Sequence, residues 1–201
     1  MKLEIKSNNL QEYLNEIPPY IVFNSALIQK QIKAITVHKR EQTKIAFELV
    51  RDKIQHSFDI NSEIITISAN DTLEKMEGIC FAKSHLLAAL LRGMGIPAGF
   101  CYQRVLRKGT IDSGYALHGL NAVYLQDYGW FRLDPRGNKP GVNSAFSVAE
   151  EKLAYPIRTE LGEIDYPQVF AQPLKSVLES MKNSASCKTL FYNRPESIAN
   201  S

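Results

Sequence analysis

Cysteine is scarce: the chain has three, Cys80, Cys101 and Cys187. An odd, sparse count does not make a disulfide framework, and it leaves thiols free for other work. The N-terminal stretch MKLEIKSNNLQEYLNE lacks the apolar core of a signal peptide. No uninterrupted apolar run approaches the roughly 20 residues that span a bilayer. These absences lead us to expect a cytoplasmic protein in a reducing setting, with no membrane partner. No CxxC pair, HExxH or dense Cys/His cluster occurs, which excludes the usual zinc patterns, and no glycine-rich phosphate loop is present. No metal or cofactor is therefore expected. Charge is also weakly biased, at +3 net. That is too little, and too dispersed, for a nucleic-acid binder. Lys30, Lys33, Lys39, Arg40 and Lys44 cluster, but in a stretch with helical apolar spacing, so they read as a solvated helix face.

What is present is a soluble composition of 201 residues, enough for one domain with a decorated terminus. No internal repeat or low-complexity tract interrupts it. The first sixty residues read as helical. Leu10, Tyr13, Leu14 and Ile17 follow a three-four spacing that stops at Pro18-Pro19. Leu27, Ile28, Ile32 and Ile35 predict a second helix. Ala46, Leu49, Val50, Lys53 and Ile54 predict a third, from about Arg40. Asp71-Thr72-Leu73-Glu74 has the form of a capping box opening a short helix that breaks at Gly78. A longer helix then starts at or just before Cys80, with Leu86, Leu87, Leu90 and Leu91 on its apolar side and Gly93 and Gly95 at its end.

After Pro97 the character changes. Residues 98–106, 117–125 and 129–133 are rich in β-branched and aromatic side chains and predict strands, the last two joined by a hairpin turn at 126–128. Helices followed by antiparallel strands define an α+β class. Beyond Asp134 the chain is punctuated by proline and glycine. Residues 150–172 read as loop, either a lid over a groove or a surface wrap. Residues 174–181 predict a last helix.

Three residues stand out chemically. Cys80 falls at the N-terminus of the longest predicted helix, where unpaired N–H groups and the helix dipole favour a thiolate. Such placement lowers a cysteine pKa to roughly 3.5–7.5, and the same N–H groups can form part of an oxyanion hole. The competing reading is a small buried residue at a helix end. His118 opens a strand amid Gly114, Gly119 and Asn121, and Asp134 ends the next one. A hairpin folded at residue 126 sets 118 and 134 opposite one another, which lets the carboxylate orient the imidazole. Spacing alone equally allows a satisfied core histidine and a strand-ending Asp-Pro turn. His85, about 140° from Cys80 on a helix, is poorly placed as its base. His38 and His56 flank the third helix and read as surface residues. Cys101 reads as a buried structural thiol, and Cys187 as exposed near a polar tail.

The segment DTLEKMEGICFAKSHLLAALLRGMGIPAGF resembles the nucleophile segment of the transglutaminase-like superfamily, through Gly78, Cys80, Leu90, Arg92, Gly95, Ile96, Pro97 and Ala98. ALHGLNAVYLQDYGWFRLDPRG resembles its His and Asp segment, through His118, Gly129, Trp130, Asp134 and Pro135. AFELVRDKIQHSFDI resembles the helix that often precedes the nucleophile. Leu120 stands where many members carry Trp, and Arg136 where Thr or Ser is common.

The resemblance covers about residues 41–137 and implies a papain-like/transglutaminase-like core. In that core the nucleophile sits at a helix N-terminus, packed on an antiparallel sheet that carries the histidine and the acid. It implies Cys80 as nucleophile, His118 as general base and acid, and Asp134 as orienting carboxylate. The expected partner is a peptide or protein substrate, or a small amide. Residues 138–201 form an extension the resemblance does not explain. The sugar-cleaving relatives commonly carry zinc-binding CxxC pairs, which this chain lacks. Amide hydrolysis, amine transfer and a non-catalytic module of the same fold remain as alternatives. The single tryptophan, Trp130, sits in a core-like strand and leans the choice towards hydrolysis.

Overall fold

The computed structural model describes residues 1–198. Its centre is α4 (Cys80–Gly93), in which every residue from Cys80 to Arg92 is buried. A helix that is apolar nearly all round needs neighbours on every side. Here α1 (Ala26–Lys33), α2 (Lys39–Lys53) and α3 (Ala69–Lys75) pack on α4 from one side. A four-stranded antiparallel sheet covers another. Its strands are β4 (Ala98–Leu106), β5 (Tyr115–Leu125), β6 (Gly129–Leu133) and the two-residue β7 (Ile164–Asp165), in the order β6-β5-β4-β7. The main core joins Phe47 and Val50 of α2, Leu86, Leu87 and Leu90 of α4, and Leu117 and Val123 of β5. Asn121, fully buried, donates from Nδ2 to Ser84 O and Gly99 O at 3.1 Å each, and so pins α4 to the sheet.

The predicted helices at Ala26–Lys33 and Lys39–Lys53 form as the apolar spacing requires, and the three long strands keep their expected cores. Other elements depart from the sequence reading. The first predicted helix is only a 3-10 turn, Leu10–Tyr13, because Tyr13 alone of its apolar set is buried while Leu10 faces solvent. The residues before it instead form β1 (Glu4–Ile5), paired in parallel with β8 (Gln168–Val169). The short helix before Cys80 is capped by Ser68, whose Oγ accepts from Asp71 N at 3.0 Å. Asp71 therefore lies in the first turn rather than at the cap. That helix ends at Met76, in the left-handed conformation at φ 57°, two residues before Gly78.

Residues 150–172 are not loop alone, since they supply β7 at the edge of the main sheet and β8, which pairs with β1. The last predicted helix appears as α5 (Lys175–Lys182), and a further one, α6 (Cys187–Asn193), follows. Cys187 is buried rather than exposed, its Sγ donating to Ile64 O at 3.1 Å. All three cysteines are free. Among the described residues, no helix is long and apolar enough to cross a membrane.

Candidate active site

The chain enters α4 through β3 (Glu77–Gly78), which pairs in parallel with β2 (Gln55–His56). A side chain at Gly78 would meet Ala82 Cβ and Thr66 Oγ1 at 2.9 Å, so only glycine lets the strand lie this close to the helix it feeds. Ile79 is the N-cap and makes no side-chain cap bond. The first-turn N–H groups therefore have no capping acceptor, and Cys80 stands directly at the positive end of the helix.

His118 lies on β5 above that turn. The residue beside it, Gly119, packs where a Cβ would sit 2.6 Å from Phe81 Cδ1, so the sheet approaches the Cys80 turn at this point only because position 119 has no side chain. The hairpin pairs Leu125 with Gly129 and Asn121 with Leu133, so it folds about residue 127 rather than 126. Asp134 consequently lies diagonal to His118, just past the end of β6. The contact still forms, with His118 Nε2 2.8 Å from Asp134 Oδ2. With Nε2 so engaged, Nδ1 is the nitrogen left to serve the Cys80 sulfur, whose pKa His118 lowers. The Gly119 N–H is a lesser influence in the same direction.

The three side chains are almost completely shielded, at 2% exposure for Cys80 and His118 and 0% for Asp134. Burial opposes charge on each, and specific partners overcome it. Burial pushes the Cys80 thiol up, but the hydrogen bond and positive field of His118 prevail and lower its pKa. Burial disfavours the imidazolium, but the Asp134 carboxylate and the sulfur together raise the His118 pKa. Asp134 is held below the ordinary carboxylate range, against burial, by His118 and by the N–H groups of Ala154 and Arg136. The directions agree: the arrangement favours a thiolate–imidazolium pair backed by a carboxylate. Cys101, in contrast, has its pKa pushed up to about 12 by burial and makes a poor thiolate.

The other sequence candidates sort as follows. His85 is buried on α4 with Nδ1 2.7 Å from Ile67 O, away from this pair in role. His38 is exposed at the start of α2. His56 overturns its surface reading. It is 8% exposed, on β2 opposite Gly78, and it faces the same cavity as Cys80 and His118. Burial, then the positive charges of Arg136 and Lys83, hold its pKa well below the usual histidine value. Sequence reasoning missed its position because two short strands, not helix α2, carry it.

It also missed what the extension supplies. Ala154 N donates to Asp134 Oδ2 at 3.0 Å. The ring of Tyr155 meets that of His118 edge-on at 4.9 Å, and its hydroxyl accepts from Arg136 Nε at 2.9 Å. Arg136 also forms a two-pronged ion pair with Asp59. No sequence signal pointed to residues 154 and 155 beyond their place in the 150–172 loop. Above the pair lies a cavity of about 660 Å³. Phe58, Tyr155 and Phe191 give it aromatic walls, and several arginines and lysines line it. Among the described residues no group of His, Cys, Asp and Glu is arranged to hold a metal.

A cysteine at a helix start, and a histidine and acid on an antiparallel hairpin, are the parts a transglutaminase-like core requires. The model of the transglutaminase-like superfamily matches residues 26–135. The chain belongs to that superfamily. Among solved structures it is similar to one from Cytophaga hutchinsonii, provisionally named a cysteine protease, at 18% identity and a TM-score of 0.47. That match covers 65% of this chain and 43% of the other, so the chain spans under half of that neighbour's length. A comparison with curated proteins found no match.

Proposed function

We propose that the protein is a cysteine-dependent acyl-transfer enzyme that hydrolyses amide or peptide bonds, with Cys80, His118 and Asp134 as its catalytic residues. The observation that carries the reading is the 2.8 Å bond between His118 and Asp134 at a cavity that Cys80 also lines, with the Cys80 thiol pKa lowered by His118. In the first half-reaction the Cys80 sulfur forms a bond to the substrate carbonyl carbon. The N–H groups at the start of α4 face the oxygen that becomes negative. His118 gives its Nδ1 proton to the departing amine as the carbon–nitrogen bond breaks. Water, deprotonated by the same nitrogen, then attacks the thioester, releasing the acid and the Cys80 thiol. Asp134 keeps the imidazole oriented and stabilises its cationic form.

Amine transfer differs only in the second nucleophile and needs a thioester sheltered from water. Trp130 gives no shelter here, because it packs on Tyr13 and Tyr124 away from the cavity. The cavity is wide and rimmed by exposed Lys108 and Lys139. Both features favour water as the acceptor. A non-catalytic module would have little use for the lowered thiol pKa.

The test is to mix the protein with a panel of N-acyl peptide nitrophenyl esters and quench for mass spectrometry. The expected result is an acyl group on Cys80, absent in Cys80→Ala, which decays to free acid even with excess amine present. Accumulation of the amide instead would establish transfer, and no acylation across the panel would defeat the enzymatic reading.

A further inference from the structure

The family match ends at residue 135, yet the cavity is closed by a residue far beyond it. Arg194 follows α6, and the next residue fastens the chain to the catalytic strand, Leu117 N donating to Pro195 O at 2.6 Å. Four arginines line the cavity. Arg107 is paired with Glu196 at 3.1 Å, Arg136 with Asp59, and Arg158 with Glu163 at 2.6 Å. Arg194 has no carboxylate partner among the described residues. Its Nε donates to Phe191 O at 3.3 Å, and no described residue accepts from Nη1 or Nη2. Its guanidinium lies over the rings of Phe58 and Phe191, at 5.1 and 4.9 Å from their centroids.

The residue is 8% exposed, so this charge has given up most of its water without gaining a counter-ion among the described residues. Such an arrangement is costly unless something else supplies the missing partner. The acids of the cavity wall cannot. Asp59 is taken by Arg136 and Lys139, and Glu163 by Arg158 and the N–H of Leu106. Burial lowers the Arg194 pKa while a negative Cys80 sulfur opposes that shift, which sets the guanidinium within the field of the nucleophile.

We propose that Arg194 is the anion subsite of this cavity, receiving a carboxylate of the substrate on its two free nitrogens while Cys80 faces the bond to be cleaved. The inference rests on the hydrolase reading and narrows it to acidic substrates: peptides presenting a C-terminal carboxylate or an acidic side chain. A guanidinium fork matches a carboxylate with two parallel hydrogen bonds, a match lysine cannot make.

Two alkylating agents separate this claim from the one beneath it. Iodoacetamide and iodoacetate both form a sulfur–carbon bond with the Cys80 thiolate and expel iodide, but only iodoacetate carries a carboxylate. The rate ratio of iodoacetate to iodoacetamide at Cys80, relative to the same ratio for free cysteine, should be raised on the order of tenfold, as one charge-assisted contact implies. It should return to about the free-cysteine value in Arg194→Gln, and lie between in Arg194→Lys. In the wild-type protein, N-acetyl-alanyl-alanine should protect Cys80 from iodoacetamide saturably, and its C-terminal amide should not. Protection by N-acetyl-glutamate α-amide, whose only carboxylate is on the side chain, rather than by the dipeptide acid would place the recognised carboxylate on a side chain.

A wild-type ratio equal to that of free cysteine overturns the subsite. So does an equal loss of both rates in Arg194→Gln, since Arg194 would then act on the thiolate alone. If Cys80 resists both reagents, the catalytic reading fails. The subsite then stands or falls on calorimetry with N-acetyl-alanyl-alanine, where saturable binding lost in Arg194→Gln sustains it and no binding refutes it.

Discussion

Asp134 shows how much one carboxylate does. It accepts from His118 Nε2, from Ala154 N and from Arg136 N, with the last two at 3.0 and 3.1 Å. Asparagine offers one acceptor oxygen and an NH2 group, so Asp134→Asn must leave a buried donor without a partner, at about 1–3 kcal/mol. It also removes the charge that keeps His118 protonated. We expect acyl transfer to fall on the order of 10²–10⁴-fold, as loss of general acid–base function does. Urea unfolding should show the stability loss. The folded pKa of Asp134 is depressed, so its contribution is present above the unfolded carboxyl pKa and disappears as pH falls through the folded one. The gap between wild type and variant should therefore narrow in acid. At this scale the sequence was legible where a residue acts through its neighbours in the chain. Cys80 beside Gly78 announced a helix start. His56 and Arg194 were not legible, since their place in the cavity depends on contacts 24 or more residues distant from Cys80.

At the scale of elements, apolar periodicity found the helices that pack and misjudged those that do not. Residues 10–17 have the spacing of an amphipathic helix but no surface to cover, and only a turn results. Strand register was read to within two positions, which preserved the His118–Asp134 meeting because residues two apart share a side of the strand. Helix α4 was read as one-sided and is instead enclosed, polar residues included. Lys83, fully buried, donates to Arg51 O at 3.3 Å and to Ile54 O, capping the end of α2. Burial lowers its pKa to about 7. Between that value and the ordinary lysine pKa the unfolded chain binds more protons than the folded one, so stability should rise with pH. Relative to Lys83→Met, which lacks this proton, the wild type should gain roughly 2 kcal/mol between pH 7 and 9, because a difference of one bound proton is worth about 1.36 kcal/mol for each pH unit. Unfolding curves of both proteins at several pH values check this. A constant difference would mean that Lys83 stays charged in the folded protein across this range, as it does in the unfolded chain.

For the molecule as a whole, the family motif ends before the fold does. The extension was read as either lid or surface wrap. It contributes β7 and β8, the buried side chains Leu174, Val177, Met181 and Leu190, and the N–H that holds Asp134. Deletion after residue 148 is therefore expected to abolish cooperative folding, seen as loss of the thermal transition and of amide protection in α4. A truncated protein that still folds and still reacts at Cys80 would return the segment to the role of a removable cover. Proline and glycine in the sequence hid this role, because they mark irregular chain without revealing what that chain touches.

The central claim is that His118 activates Cys80. Iodoacetamide labelling of the native protein across pH 5–9, with peptide mapping of Cys80, Cys101 and Cys187 and a parallel His118→Ala series, measures it most directly. The account predicts that Cys80 reacts selectively, at pH values well below the free thiol range of about 8.5, and that the advantage is lost in His118→Ala. Cys101, buried with its pKa pushed up to about 12, should stay unlabelled. Labelling of Cys80 that follows an ordinary thiol titration and ignores the histidine would contradict the account, leaving a transglutaminase-like fold without its proposed chemistry.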